Sequence, residues 1–64
     1  MSLLIYRVVV HGRVIQEGFR APEVLQTGEL FPLAEGGGRI KKVIELAGER
    51  ADFEIHVTPI EEDE

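Results

Sequence analysis

Two runs rich in apolar residues, 3–10 and 13–20, open the chain and are separated by His11-Gly12. A two-residue loop with glycine second is typical of a type I′ hairpin turn, in which both loop residues have positive φ, and histidine tolerates that conformation better than most residues. The pattern predicts a β-hairpin whose register begins with Val10 facing Arg13. Further pairs are then predicted between Val8 and Ile15, Tyr6 and Glu17, and Leu4 and Phe19.

This register divides the side chains of the hairpin between two faces. The face assigned to the core carries Leu4, Tyr6, Val8, Val10, Ile15 and Phe19. The opposite face carries Leu3, Ile5, Arg7, Val9, Val14 and Gln16, which is unusually apolar for a sheet side that meets water. Exposed apolar patches often mark interaction sites, and arginine is enriched at their centres. The sequence therefore predicts a partner-binding surface made of Leu3, Ile5, Arg7, Val9 and Val14.

A second hairpin is predicted at residues 39–47 and 50–58, because Gly48-Glu49 has glycine at the first loop position, as type II′ turns require. Residues 51–58 alternate apolar and polar side chains without a fault. The register pairs Ile40 with Val57, Ile44 with Phe53 and Leu46 with Ala51. It forms an apolar face, interrupted by Lys42, from Ile40, Ile44, Leu46, Ala51, Phe53, Ile55 and Val57.

A helix at residues 39–47 is the alternative. Ile40, Val43, Ile44 and Ala47 recur at helical spacing, and Gly48 suits a helix C-terminus. The three glycines at 36–38 provide a poor N-cap, which favours a strand; they are instead expected to form a flexible connector.

The segment between the hairpins, residues 21–35, is predicted to be poorly regular because Pro22 and Pro32 interrupt any long element. A short edge strand near residues 24–31 is favoured, since proline suits an edge, and a single helical turn after Pro22 is the alternative. The predicted fold is a mostly β domain, residues 1–60, with a small antiparallel sheet or open barrel built from two hairpins. The helix at 39–47 would make it α+β.

Composition narrows the function classes. The chain has 64 residues and no cysteine, which excludes disulfides, thiolate zinc sites and cysteine nucleophiles. Its two histidines have no ligand-like spacing, and its one serine, Ser2, lies at the terminus. We therefore expect no enzyme activity, no cofactor and no metal. The start lacks the basic segment of a signal peptide, and no apolar run approaches the ~20 residues of a membrane span, so a cytoplasmic protein without membrane contact is expected.

The net charge is −5, and the four carboxylates of residues 61–64 account for all but −1 of it. An acidic chain is unlike a general nucleic-acid binder, which carries a basic footprint. The acidic segment is expected to be a solvated, frayed tail. The alternative is a decoy that imitates nucleic-acid phosphates and occupies a nucleic-acid-binding protein.

Residues 10–20, Val-His-Gly-Arg-Val-Ile-Gln-Glu-Gly-Phe-Arg, resemble the acylphosphatase signature, in which a strand, a glycine-rich loop and a helix hold a phosphate. The resemblance implies that Arg20 binds phosphate. It departs from the family at Ile15-Gln16-Glu17, where Glu17 puts a negative charge in the loop, and the chain has no asparagine to serve as the family's catalytic one. An anion-binding module using Arg13, Arg20, Arg39 and Lys41 is the corresponding alternative function.

Taken together, these patterns favour a small non-catalytic interaction module: a regulator, inhibitor or assembly subunit. Small domains without disulfides or metals often gain buried surface from a partner. The expected partner is another protein or a second copy of the chain.

Overall fold

The computed structural model describes residues 3–33, 36–47 and 50–62. The elements are β1 (Leu4–Val10), β2 (Arg13–Ala21), β3 (Leu30–Leu33), β4 (Gly36–Glu45), β5 (Phe53–Pro59) and a 3₁₀ turn, η1 (Ile60–Glu62). The five strands form one sheet in the order β2-β1-β5-β4-β3, which curls into an open half-barrel. This confirms the mostly β fold. The two hairpins join through a parallel β1–β5 pair, so the sheet is mixed.

The first hairpin is confirmed, with φ of 55° at His11 and 73° at Gly12, as a type I′ turn requires. Val10 pairs with Arg13 as predicted. Beyond that pair β2 contains two irregularities, so Val8 faces Gln16, Tyr6 faces Phe19 and Leu4 faces Ala21. The three other predicted pairings are therefore wrong, because the alternation of apolar and polar residues does not reveal where a bulge inserts an extra residue.

The bulges also correct the predicted core face. Tyr6 and Val8 are fully buried, and Leu4, Val10 and Phe19 pack against the core, as expected. Ile15 is 49% exposed instead. It follows Val14, the partner of Val9, and precedes Gln16, the partner of Val8, and the register shifts between these two pairs. The extra residue in β2 takes the isoleucine out of the core.

The region assigned to residues 39–47 is a strand, so the alternative helix is wrong. Ile40 pairs with Val57 as predicted, and a bulge then follows between Ile40 and Lys42. Because of it, Val43 rather than Lys42 faces Ile55, which removes the charge from the core. The same shift places Ile44 opposite Glu54, not Phe53. The predicted turn at Gly48-Glu49 lies outside the described residues.

The glycines at 36–38 belong to β4, where they pair with β3, so the predicted flexible connector is wrong. Gly38 is buried. A Cβ built on it would lie 2.5 Å from Cγ1 of Val57 and 2.9 Å from Cδ1 of Leu33. The close packing of β3, β4 and β5 therefore depends on glycine at this position, because any Cβ would clash.

The bridge contains the predicted edge strand, β3, later than expected and with Pro32 inside it. Residues 22–29 form bends and a turn, with no helical turn after Pro22. This crossover carries the chain from one edge of the sheet to the other. The Tyr6 hydroxyl secures it by donating to the Glu23 carbonyl at 2.8 Å and accepting from the Leu25 amide at 2.9 Å.

The core lies inside the half-barrel and draws on every strand. Its buried members are Tyr6, Val8, Ala21, Phe31, Ile40, Ile55 and Val57. The rings of Phe19 on β2 and Phe31 on β3 meet edge to face, with centroids 4.9 Å apart. These two strands are the opposite edges of the sheet, so one aromatic contact spans the open side of the barrel.

Candidate functional site

A groove of about 710 Å³ lies between the two sheet edges, beside the Phe19–Phe31 contact. We call it the edge groove. It is lined by Val10, His11, Ile15, Gln16, Phe31, Pro32, Leu33, Gly36, Gly37, Pro59, Ile60 and Glu61. Its volume falls within the roughly 300–1,000 Å³ of ligand sites in proteins. The groove lies at the end of the half-barrel where the parallel strands β1 and β5 both finish.

Both edge strands, β2 and β3, contribute residues to the lining of the edge groove. Among the described strands, β2 pairs only with β1 and β3 pairs only with β4. An edge strand carries a row of amide and carbonyl groups that another extended segment can pair with. Proteins that recognise peptides by strand addition use such edges for affinity and neighbouring apolar pockets for specificity. The edge groove combines both features.

Ile15 gives the groove an exposed apolar wall. It is 49% exposed, and Ile60 on the other side is 37% exposed. Alternation predicts that Ile15 is buried, and a bulge exposes it. A residue that departs from the alternation of buried and exposed side chains, without packing better as a result, is typical of functional positions.

Glycines at the start of β4 keep the groove open. Gly36 has φ of 136°, a conformation that other residues rarely adopt, and neither it nor Gly37 carries a side chain. A Cβ on Gly37 would lie 3.0 Å from Cδ1 of Ile60. A side chain there would require the end of the Ile60 side chain to shift. The sequence pattern indicated a glycine-rich feature here but not the cavity it lines.

The predicted partner surface lies on the outer face of the sheet, away from the groove. Leu3 and Val14 are each 46% exposed, Ile5 and Arg7 are half-buried, and Val9 is buried at 4%. Leu3 and Val14 therefore offer most of the accessible apolar area of this set. Partner binding by this surface stays a prediction.

Charged side chains occupy the middle of that outer face. Nη1 of Arg7 lies 3.4 Å from Oε1 of Glu54, and its Nε lies 3.7 Å from Oε1 of Glu17. Nε2 of His56 hydrogen-bonds Oε2 of Glu54 at 2.8 Å. This hydrogen bond is the largest influence lowering the pKa of Glu54; partial burial opposes it, and Arg7 reinforces it. The Asp52 carboxylate instead accepts a hydrogen bond from the Ile5 amide at 2.9 Å.

The four cations of the predicted anion site do not converge. Arg13 and Arg20 lie on β2, whereas Arg39 and Lys41 lie on β4, with β1 and β5 between. Neighbouring strands are about 4.8 Å apart, so the two pairs are separated by roughly 14 Å of sheet. Arg39 donates to the Gly28 carbonyl at 2.9 Å. Residues 10–20, which resemble the acylphosphatase signature, form a hairpin without the helix of that family.

The first residues of the acidic segment border the edge groove. Glu61 is exposed, lines the groove and belongs to η1, whereas Asp63 and Glu64 lie outside the described residues. Within the described ranges, no cluster of three or more histidine, aspartate or glutamate side chains is arranged to hold a metal ion. No helix in this part of the chain is long and apolar enough to cross a membrane.

Comparison with known protein families, curated proteins and solved structures gives no match to this chain.

Proposed function

We propose that this chain is a non-catalytic interaction module that takes an extended segment of a partner protein into the edge groove. The observation that carries the proposal is an apolar groove to whose lining both edge strands of the described sheet, β2 and β3, contribute residues. An extended segment satisfies such an edge with its backbone, and its alternate side chains enter the groove.

Charge decides what kind of segment fits. Glu61 lies on the lining of the groove, and the sequence continues with Glu62, Asp63 and Glu64. The whole chain carries −5, so two copies repel each other, whereas a basic partner is attracted. The proposed ligand therefore alternates apolar side chains and has lysine or arginine at the end that lies near Glu61.

The two edges differ in how they can pair. Pro32 lies within β3 and has no amide hydrogen, so that strand offers fewer donors. β2 is longer, with nine residues against four, but its bulges interrupt a regular ladder. The stretch of β2 that lines the groove, Ile15 and Gln16, contains the first of these bulges, so a ligand would pair there over a short length only. We propose it as the pairing edge.

Neighbouring residues on β2 provide a matched test. Ile15 and Val14 are 49% and 46% exposed, but only Ile15 lines the groove. Ile15→Glu and Val14→Glu each add one charge at an exposed position, so both variants should remain folded. The probes are short peptides that alternate Val, Ile, Leu, Phe or Tyr with Thr and end in Lys-Lys, and binding is followed by NMR titration.

Ile15→Glu should weaken binding at least tenfold, which corresponds to about 1.4 kcal/mol, the loss of part of one buried isoleucine side chain. Val14→Glu should change it less than twofold, about 0.4 kcal/mol. Peptides ending in Glu-Glu, or with a central proline, should bind more weakly.

Three outcomes would overturn the proposal. They are binding by none of these peptides, a loss confined to Val14→Glu, or a dimer in light scattering that Ile15→Glu dissociates. The second would assign recognition to the outer face of Leu3, Ile5, Arg7, Val9 and Val14. The third would make the occupant a second copy of the chain.

A further inference from the structure

A small recess on the outer face, at the opposite end of β1 from the edge groove, has a different chemistry. It has a volume of about 270 Å³ and is lined by Ile5, Arg7, Glu17, Gly18, Arg20, Arg50 and Ala51. We call it the arginine recess. Its lining carries three guanidinium groups and one carboxylate, in a chain whose net charge is −5. Positive charge is therefore concentrated locally against the charge of the whole protein.

Backbone pairing brings the cations together around Ile5. Arg20 is the register partner of Ile5 on β2. On the other side, the Asp52 amide donates to the Ile5 carbonyl at 2.8 Å, and the Ile5 amide donates to Oδ2 of Asp52 at 2.9 Å. These two hydrogen bonds hold the segment with Arg50 and Ala51 against β1. Ile5 and Arg20 are 15 residues apart in the sequence, and Arg20 and Arg50 are 30 residues apart, so no local pattern indicates this grouping.

Carboxylates already compensate one of the three cations. Arg7 contacts both Glu17 and Glu54 on its own face. Neither Arg20 nor Arg50 has a carboxylate within ion-pair distance among the described residues. These two exposed side chains therefore supply the uncompensated positive charge of the recess.

Apolar groups form the rest of the lining. Ala51 is buried and Ile5 is half-buried, and Gly18 has no side chain to fill the space. Guanidinium groups bind planar carboxylates through paired hydrogen bonds. An apolar floor between two arginines suits the methylene groups that carry such a carboxylate.

We infer that the arginine recess binds a carboxylate on a short aliphatic stem, between Arg20 and Arg50. The carboxylate has two sources, a free organic acid or a glutamate side chain of a protein. The site lies on the other face from the edge groove, so the inference does not depend on the proposed peptide function.

The test uses the full chain and NMR titration, with the Ile5 methyl groups and the arginine Nε–H signals as reporters. The probes are butyrate and the peptide acetyl-Gly-Glu-Gly-amide, and acetyl-Gly-Gln-Gly-amide is the neutral control. Butyrate or the glutamate peptide should bind in the millimolar range, and the glutamine peptide should not. Tighter binding of butyrate would identify a free acid as the ligand, and tighter binding of the peptide a glutamate side chain; both support the inference.

Variants separate a site from general charge attraction. Arg20→Gln and Arg50→Gln should each weaken binding by about two- to fivefold, the range for one exposed ion pair. Arg13→Gln removes the same charge from the other end of β2 and should leave binding unchanged. Equal losses in all three variants, equal shifts with sodium chloride at the same ionic strength, or no binding by either acidic probe would overturn the inference.

Discussion

Removing the hydroxyl of Tyr6 should release the crossover from the barrel. This side chain is fully buried, yet its hydroxyl makes two hydrogen bonds to the backbone at Glu23 and Leu25. Tyr6→Phe keeps the ring in the core and its stacking on Phe53, at a centroid distance of 5.6 Å. The substitution therefore isolates the two hydrogen bonds.

The expected loss follows from those bonds. Each contributes about 1 kcal/mol net, so Tyr6→Phe should lower the free energy of unfolding by about 2 kcal/mol. A chain of 64 residues has a total of roughly 3–10 kcal/mol at 0.05–0.15 kcal/mol per residue. The variant should therefore lose a large fraction of its stability, and its Tm should fall by roughly 8–16 °C.

Urea unfolding followed by circular dichroism measures the free energy, and hydrogen exchange measures the protection of the Leu25 amide. Thr58→Val is the matched control, because it removes a half-buried hydroxyl without a side-chain hydrogen bond among the described residues. A loss below about 0.5 kcal/mol in Tyr6→Phe, or unchanged exchange at Leu25, would refute the role of the hydroxyl as the crossover's attachment.

Two further predictions concern packing and pH. Gly38→Ala should destabilise the chain by about 1–3 kcal/mol, because the new Cβ would lie 2.5 Å from the Val57 side chain. Gly37→Ala should destabilise it less, because the new Cβ would meet only the flexible end of the Ile60 side chain. Thermal unfolding compares the two variants, and equal losses of stability would contradict this explanation. The pKa of Glu54 is lowered in the folded chain, chiefly by His56, so its contribution to stability is present above the ordinary value of 4.5 and is lost as pH falls through the folded value. Glu54→Gln should therefore reduce the loss of stability below pH 4.5, measured by urea unfolding at neutral and acidic pH, and an unchanged acid dependence would contradict it.

Local signals in the sequence were sufficient for strands β1, β2 and β5 and for the first turn. The dipeptide His11-Gly12 specifies its turn because few residues accept positive φ, and the β-branched residues of 51–58 specify a half-buried strand by simple alternation. The mostly β fold, the edge position of Pro32 and the burial of Tyr6 and Val8 followed from the same reasoning.

Bulges and long-range pairing were decided only in three dimensions. A single inserted residue in β2 exposes Ile15, and one in β4 replaces Lys42 with Val43 opposite Ile55, because each shift reverses the face of the residues that follow.

Short-range features follow from the order of residues alone: most of the extended stretches, the position of the first turn and the acidic charge. The tertiary structure alone decided which strands are neighbours. The parallel β1–β5 pair, the Phe19–Phe31 contact and the meeting of Arg20 with Arg50 join residues far apart in the chain. Such contacts depend on the packing of the whole sheet, which periodicity along the chain does not encode.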